Sequence, residues 1–264
     1  MRPLVSIVSV VGENSTGKSE LTKQLLHEII APFDGVDSPL KASTFSVGNI
    51  ARFCAEFPGG FPLESPEQVR QSASDAIANV HIDLIDGNYV MKPNGLDHFL
   101  QTAHNGFESS TLANNLHFSE FTREFVSDFI ETRVPTDTLV IVDGRERWKR
   151  WLRTPFETSG ILIRTHAPPE VRAAFFYQER PEAKDWPIKR VLDTILTRSV
   201  LDDELLIPAR GETQYVIDVT RTDPSVEKTN LLAQKISGVL FDCQQGAIPS
   251  DFEAVPLQFS DVSV

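Results

Sequence analysis

Cysteine is nearly absent: Cys54 and Cys243 are the only two in 264 residues. They lie far apart with no ligand-spaced partner, which excludes a disulfide framework and a cysteine-based zinc site, so a reducing cytoplasm is the expected setting. Long hydrophobic runs are missing as well. The longest, such as Leu4 to Val11, fall far short of the roughly 20 residues that cross a bilayer, and Met1-Arg2 leads straight into a strand-like run, so neither a membrane span nor a signal peptide is expected. Basic charge is scarce, with 25 Lys and Arg against 37 Asp and Glu and a net charge of -12. That balance argues against a nucleic-acid partner, which draws on clustered cations, although a local basic cleft stays compatible with it. No internal repeat, low-complexity segment, Ser-His-Asp or Cys-His pattern occurs, and no guanine-reading N-K-x-D segment follows the first glycine-rich loop.

What is present is the alternation of an α/β chain. With 41% apolar residues the length suits one α/β domain, or one domain carrying an insertion. Val5 to Val11, Leu139 to Val142, Gly160 to Ile163 and Tyr215 to Val219 are short, continuous apolar runs, the signature of strands buried on both faces of a parallel sheet. Helical spacing marks Lys18 to Ile30, Pro66 to about Val80, Phe118 to Thr132, Pro169 to Glu179, Ile188 to Asp203 and Pro224 to Leu240. Strands alternating with helices predict a three-layer α/β/α sandwich around a parallel central sheet. His81 to Ile85, Gly87-Asn88 and Tyr89 to Met91 break the alternation and read as a hairpin, so 81–115 is taken as an insertion within a domain spanning 1–242. The polar stretch 243–264 is expected to be a loosely packed tail.

The strongest chemical signal is Gly12-Glu13-Asn14-Ser15-Thr16-Gly17-Lys18-Ser19, which matches G-x-x-x-x-G-K-[ST] between a buried strand and a helix. Gly12 and Gly17 leave room for a row of backbone N–H groups to face an anion, with Asn14, Ser15 and Thr16 completing the loop. Lys18 would reach the β and γ phosphates of a nucleotide, and the Ser19 hydroxyl would hold Mg²⁺. ATP and Mg²⁺ are therefore the expected ligands. Asp143, closing the run Leu139 to Val142, stands where such folds place an acidic group beside the metal. Asp-Gly also commonly ends a strand as a plain turn, and both uses remain open from the sequence alone.

At this point the chain resembles the cytidylate kinases, from Val5 to about Leu240. Besides the phosphate loop, Phe45-Ser46-Val47-Gly48-Asn49-Ile50-Ala51-Arg52 is similar to the family's strand-to-helix turn. Gly48 belongs to that turn, and Arg52 takes the place of the arginine that binds the acceptor phosphate. The hairpin and the following Thr111 to Val126 resemble the acceptor insertion, with Arg123 on the monophosphate and Asn114 at a base-contacting position. Asp143-Gly144-Arg145-Glu146 is similar to D-G-R-D, which gives Arg145 and Glu146 acceptor roles. Residues 175–212 correspond to the lid, where Arg198 and Asp202 match, and Arg198 would join Lys18 and Arg145 in catalysis.

The resemblance implies ATP-dependent phosphoryl transfer to a small-molecule nucleotide acceptor, a pyrimidine nucleoside monophosphate such as CMP or dCMP, or a modified relative. The chain departs from the pattern where Phe175, Phe176, Leu201 and Leu205 replace lid arginines, and where Val47 and Ala51 replace Ser and Tyr in the acceptor turn. Arg180, Lys184, Lys189, Arg190 or Arg210 could restore the lost charge from shifted positions. The same departures are compatible with a kinase of another acceptor, such as a specialised metabolite hydroxyl or a modified base in DNA, or with a nucleotide-binding pseudo-kinase.

Overall fold

In the computed structural model the described residues are 7–31, 41–46, 80–85, 88–93, 116–135, 138–144, 161–206 and 215–244. The chain divides into two compact units: Met1–Ala42, Asp137–Trp148 and Glu157–Val264 in one, Ser43–Thr136 and Lys149–Phe156 in the other.

The first unit is built on parallel strands β1 (Ile7–Gly12), β5 (Thr138–Asp143), β6 (Ile161–His166) and β7 (Tyr215–Thr220). Their spatial order is β5-β1-β6-β7, with Ile7 beside Val140, Val8 beside Ile161 and Ile161 beside Tyr215. Helices α1 (Lys18–Ile30), α3 (Pro169–Glu179), α4 (Ile188–Leu206) and α5 (Val226–Gln244) complete it. One sheet face, with Val8, Val10, Leu139, Ile141, Ile161, Ile163, Ile217 and Val219, packs on Leu21, Leu25 and Ile29 of α1 and Ala233, Ile236 and Leu240 of α5. The alternate residues Ile7, Val11, Val140, Val142 and Leu162 are buried too, and α4 lies against β1. Burial of both residue parities is what a sheet between two helical layers requires. The first unit is therefore an α/β/α sandwich, as the apolar runs predict. A second cluster joins α3 to α4 through Ala173, Phe176, Ala183, Val191 and Ile195.

In the other unit, β3 (Val80–Ile85) and β4 (Asn88–Pro93) form the expected antiparallel hairpin, with Ile85 opposite Asn88. Val80 opens β3 rather than closing a helix as the sequence pattern suggested. Strand β2 (Lys41–Ser46) pairs in parallel with β4 through Thr44 and Asn88. Helix α2 (Leu116–Arg133) buries Phe125, Val126, Phe129 and Ile130, a stripe at helical spacing.

Across β6 and β7, Arg164 lies in register with Asp218 and donates to both its oxygens, at 2.5 Å from Nε and 2.7 Å from Nη2. His166 adds a weaker approach at 3.6 Å. The Arg164 hydrogen bond holds the Asp218 carboxyl below its ordinary value of 3.8. A depressed carboxylate pKa stabilises the fold above the ordinary range, and that stability is lost as pH falls through the lowered value. Asp218→Asn should therefore cost about 0.2–1 kcal/mol near pH 7, the range for a partly exposed cross-strand ion pair. In urea titrations the gap to wild type should close below pH 3.8; a gap that persists there would show that the charge is not its source.

Candidate phosphate site

The segment joining β1 to α1 carries the geometry that its composition demands. Gly17 has φ 72° and Ser15 has φ 57°, two left-handed residues flanking Thr16. Alternating hands of this kind turn successive N–H groups to one side and form an anion-binding concavity at the start of α1, whose first-turn N–H groups have no partner within the helix. At Gly12 the reason for glycine is contact: a Cβ there would stand 2.3 Å from Thr165 Oγ1 and 2.4 Å from the Thr165 carbonyl oxygen. The loop is tied to β6 at this place. Thr16 Oγ1 and Thr165 Oγ1 lie 2.7 Å apart, with the Glu13 carbonyl 3.0 Å from the first and the Val11 carbonyl 3.1 Å from the second.

Lys18 Nζ donates to the Glu13 carbonyl at 2.5 Å, which folds the side chain back over the loop. Ser19 Oγ donates to Asp143 Oδ2 at 2.6 Å, across 124 positions of sequence. Asp143 is itself buried. The pairing of β1 with β5 brings them together, since Val10 is the register partner of Asp143 and the Val10 carbonyl accepts from the Gly144 N–H. A hydroxyl and a carboxylate at hydrogen-bond distance beside a phosphate-binding helix terminus form a hard-oxygen donor set suited to Mg²⁺. The residues present thus fit both groups expected from the sequence: a polyphosphate would sit in the loop, and Ser19 and Asp143 would hold a divalent cation beside it.

Helix α3 supplies a second wall that the motif gave no hint of. Arg172 is 3% exposed, and it donates from Nε to the Asn14 carbonyl at 2.9 Å and from Nη1 to Glu13 Oε2 at 3.0 Å. Three residues on, Phe175 touches the loop: a Cβ on Gly17 would meet its ring at 2.6 Å. Four residues further, at the end of the same stripe, Glu179 keeps its solvent access. Partial desolvation raises its carboxyl above the ordinary range, and the Lys18 charge pulls it back while Asp143 pushes it up. From the other side, Arg221, just after β7, donates to the Gly17 carbonyl at 3.3 Å and lies 4.8 Å above the Phe175 ring.

Gly12, Asn14, Ser15, Thr16, Gly17, Lys18 and Ser19 share one loop and helix start, and the hydrogen bond from Ser19 places Asp143 beside them. The acceptor residues Gly48, Arg52, Asn114, Arg145 and Glu146 lie outside the described residues. Arg123 falls on α2 and Arg198 and Asp202 on α4, with side chains that are likewise outside the description. Of the cations considered as substitutes for the lid arginines, Arg180 lies 5.0 Å over the Phe176 ring and Arg190 lies 3.7 Å over the Trp186 ring. Lys184 and Lys189 are exposed, and Arg210 is outside the described residues. Arg172 and Arg221 were not singled out from sequence. Two signals were available: the cytidylate kinase resemblance sets Ala167 to Ala173 before the lid and Tyr215 to Asp223 at the last strand and the loop near the donor adenine, and ligands of open α/β sheets bind beyond the carboxyl ends of the strands, where Arg221 directly follows β7.

Loop and fold together place a Gly12 to Ser19 segment of G-x-x-x-x-G-K-S sequence, shaped as an anion-binding concavity, between β1 and α1 of a parallel α/β/α sandwich. No protein-family model matches the chain, and no curated protein matches it. Among solved structures, a gluconokinase from Sinorhizobium meliloti 1021 is similar over 94% of this chain and 100% of its own, at 14% identity and a TM-score of 0.40. A sugar kinase from Janibacter sp. HTCC2649 matches over 90% and 95%, at 12% identity and a TM-score of 0.38. An uncharacterized protein from Eubacterium ventriosum ATCC 27560 matches over 88% and 98%, at 10% identity and a TM-score of 0.42. Superpositions this loose add nothing to what the loop's own geometry defines. Among the described residues no helix is long and apolar enough to cross a membrane.

Proposed function

We propose that the chain is a MgATP-dependent phosphotransferase whose acceptor is a nucleoside monophosphate, a pyrimidine nucleotide such as CMP or dCMP or a modified relative. The observation that carries the donor half is the phosphate cradle of Gly12 to Ser19 with Ser19 Oγ held 2.6 Å from Asp143. Lys18 would leave the Glu13 carbonyl to contact the donor's terminal phosphates, while Ser19 and Asp143 would hold the cation and its waters. A divalent cation bound there would neutralise charge on the donor phosphates and orient them. The acceptor half rests on the cytidylate kinase resemblance, in which Arg52, Arg123 and Arg145 hold the acceptor phosphate and Arg198 approaches from the lid. A phosphate oxygen is already nucleophilic, so positioning and charge neutralisation suffice without a strong general base.

A second reading is favoured by one observation. Phe175 and Phe176, at the positions of lid arginines, are buried at 2% and 0% exposure, one against the loop and one in the α3–α4 cluster. Arginine at either position would disturb that packing, which supports the reading that a lid here would hold the transferring phosphate differently from the cytidylate kinase pattern. Such a lid suits a different acceptor, a metabolite hydroxyl or a modified base, or a nucleotide-binding pseudo-kinase.

The deciding experiment is ADP release from MgATP against CMP, dCMP, UMP, dUMP, dTMP, AMP and GMP. The expected result is turnover that depends on one pyrimidine acceptor, at a rate on the order of 1–100 per second as is usual for kinases. ATP binding with no acceptor-dependent release from the whole panel would overturn the monophosphate reading in favour of the second.

A further inference from the structure

Arg221 is a buried cation that the expected chemistry leaves unexplained. It is 3% exposed, beside the Gly17 carbonyl, and its other guanidinium nitrogen donates to Thr229 Oγ1 at 2.5 Å. Its backbone N–H donates to the His166 carbonyl at 2.6 Å, which fixes the start of the loop to the end of β6. Its flat face stacks on Phe175. Both hydrogen-bond acceptors are neutral oxygens, and Glu20 and Asp223 act on the guanidinium only through space. Burial of this kind pushes its pKa down to about 10, so the group stays charged at neutral pH, at a standing desolvation cost.

With Glu20 and Asp223 acting only through space and no carboxylate hydrogen-bonded to it, the guanidinium is left able to stabilise a further anion that arrives nearby. An anion seated in the loop would arrive close by: Arg221 Nη1 lies 3.0 Å from where a Gly17 Cβ would sit, directly behind the residue that turns the loop into α1. Phe175 closes the other side and keeps water from screening it. We propose that Arg221 is a positioning residue of the phosphate site, a charge held behind Gly17 that strengthens binding of a polyphosphate without touching it. The inference rests on the reading of Gly12 to Ser19 as the donor-phosphate cradle. In a region of reduced dielectric a unit charge at this remove is worth about a factor of ten in affinity, and more for each further anionic charge on the ligand.

A merely structural Arg221 would plug the space under the loop and affect all ligands alike. The proposal predicts instead a loss graded by ligand charge. The experiment is calorimetric titration of wild type, Arg221→Gln and Arg221→Lys with ATP, ADP, AMP and inorganic tripolyphosphate in buffer containing EDTA and no Mg²⁺, so that the ligands keep their graded charges. Arg221→Gln should weaken ATP and tripolyphosphate by about tenfold, ADP by less and AMP hardly at all. Its unliganded melting temperature should not fall in proportion, because the standing cost of the charge is relieved. Equal weakening of all four ligands, or none, would overturn the proposal.

If Arg221→Gln does not fold, Arg221→Lys carries the test, since a desolvated ammonium titrates where a guanidinium does not. Its tripolyphosphate affinity should fall relative to wild type as pH rises from about 7 to 9, and parallel curves would overturn the proposal. Wild type that binds neither ATP nor tripolyphosphate would defeat the donor-site reading itself and this inference with it. Wild type that binds both, with variants that show no charge grading, would defeat the inference alone.

Discussion

Lys18→Ala is expected to lower kcat/KM for MgATP-driven phosphoryl transfer by roughly 10²- to 10³-fold, the usual consequence of removing one preorganised donor from developing anionic charge. The side chain begins the first turn of α1, and its Nζ already lies within the loop, 2.5 Å from the Glu13 carbonyl. Lys18→Arg should not rescue it. A planar guanidinium is wider than an ammonium and cannot occupy the same point within a closed backbone loop. The melting temperature of the alanine variant separates loss of chemistry from loss of fold, because the core under α1 is formed by Leu21, Leu25 and Ile29 and not by Lys18. A variant that melts like wild type and keeps its turnover would show that the loop does not serve the donor phosphates.

Gly12→Ala should have the largest effect on stability. Its Cβ would have to lie 2.4 Å from the Thr165 carbonyl oxygen, a backbone atom of a central strand that cannot rotate away, and the residue sits at φ 157°. Overpacking costs about 1–3 kcal/mol, and a strained backbone adds ~1–3 kcal/mol. For a unit of this size each kcal/mol is worth about 2–4 °C, so a drop on the order of 10 °C in Tm is expected by calorimetry. Phosphate binding should fall with it, since the shift would move the Thr16–Thr165 tie that holds the loop. Gly238→Ala is the matched control. That glycine lies inside α5 with nothing within 4 Å of an added Cβ, so the change should stabilise by ~0.5–1 kcal/mol. A Gly12 variant that melts no lower than wild type would mean that the β1–β6 contact is looser than described.

The two variants probe parts of the site that were unequally legible. Lys18 and Ser19 could be read directly, because a phosphate loop is one continuous segment whose backbone shape is set by its own glycines. Asp143 was legible only as one of two uses of an Asp-Gly dipeptide, and the sequence does not show that the pairing of β1 with β5 brings it to Ser19. The roles of Arg172 and Arg221 were hidden, and so was the contact of Phe175 with the loop. Arg172 and Phe175 lie on a helix whose pattern shows burial but not against what, and Arg221 follows a strand in a polar loop. Strand β2 was hidden for a related reason: Ser43 and Thr44 are buried in it, and polar residues give no apolar run to detect.

By itself, then, the sequence of this chain determined what is local. It set the periodicity of α1 and α3, the apolar strands of a parallel sheet, the hairpin of β3 and β4, and a phosphate loop with its lysine and serine. These follow from steric preference, hydrophobic spacing and glycine content within a few residues. Tertiary structure alone decided the order β5-β1-β6-β7, the meeting of Ser19 with Asp143, and the placing of a buried guanidinium behind Gly17. The physical reason is that hydrophobic patterning specifies that a face is buried without specifying its partner. The energy of a charge depends on solvent exclusion and neighbours that exist only once the strands and helices have been assembled.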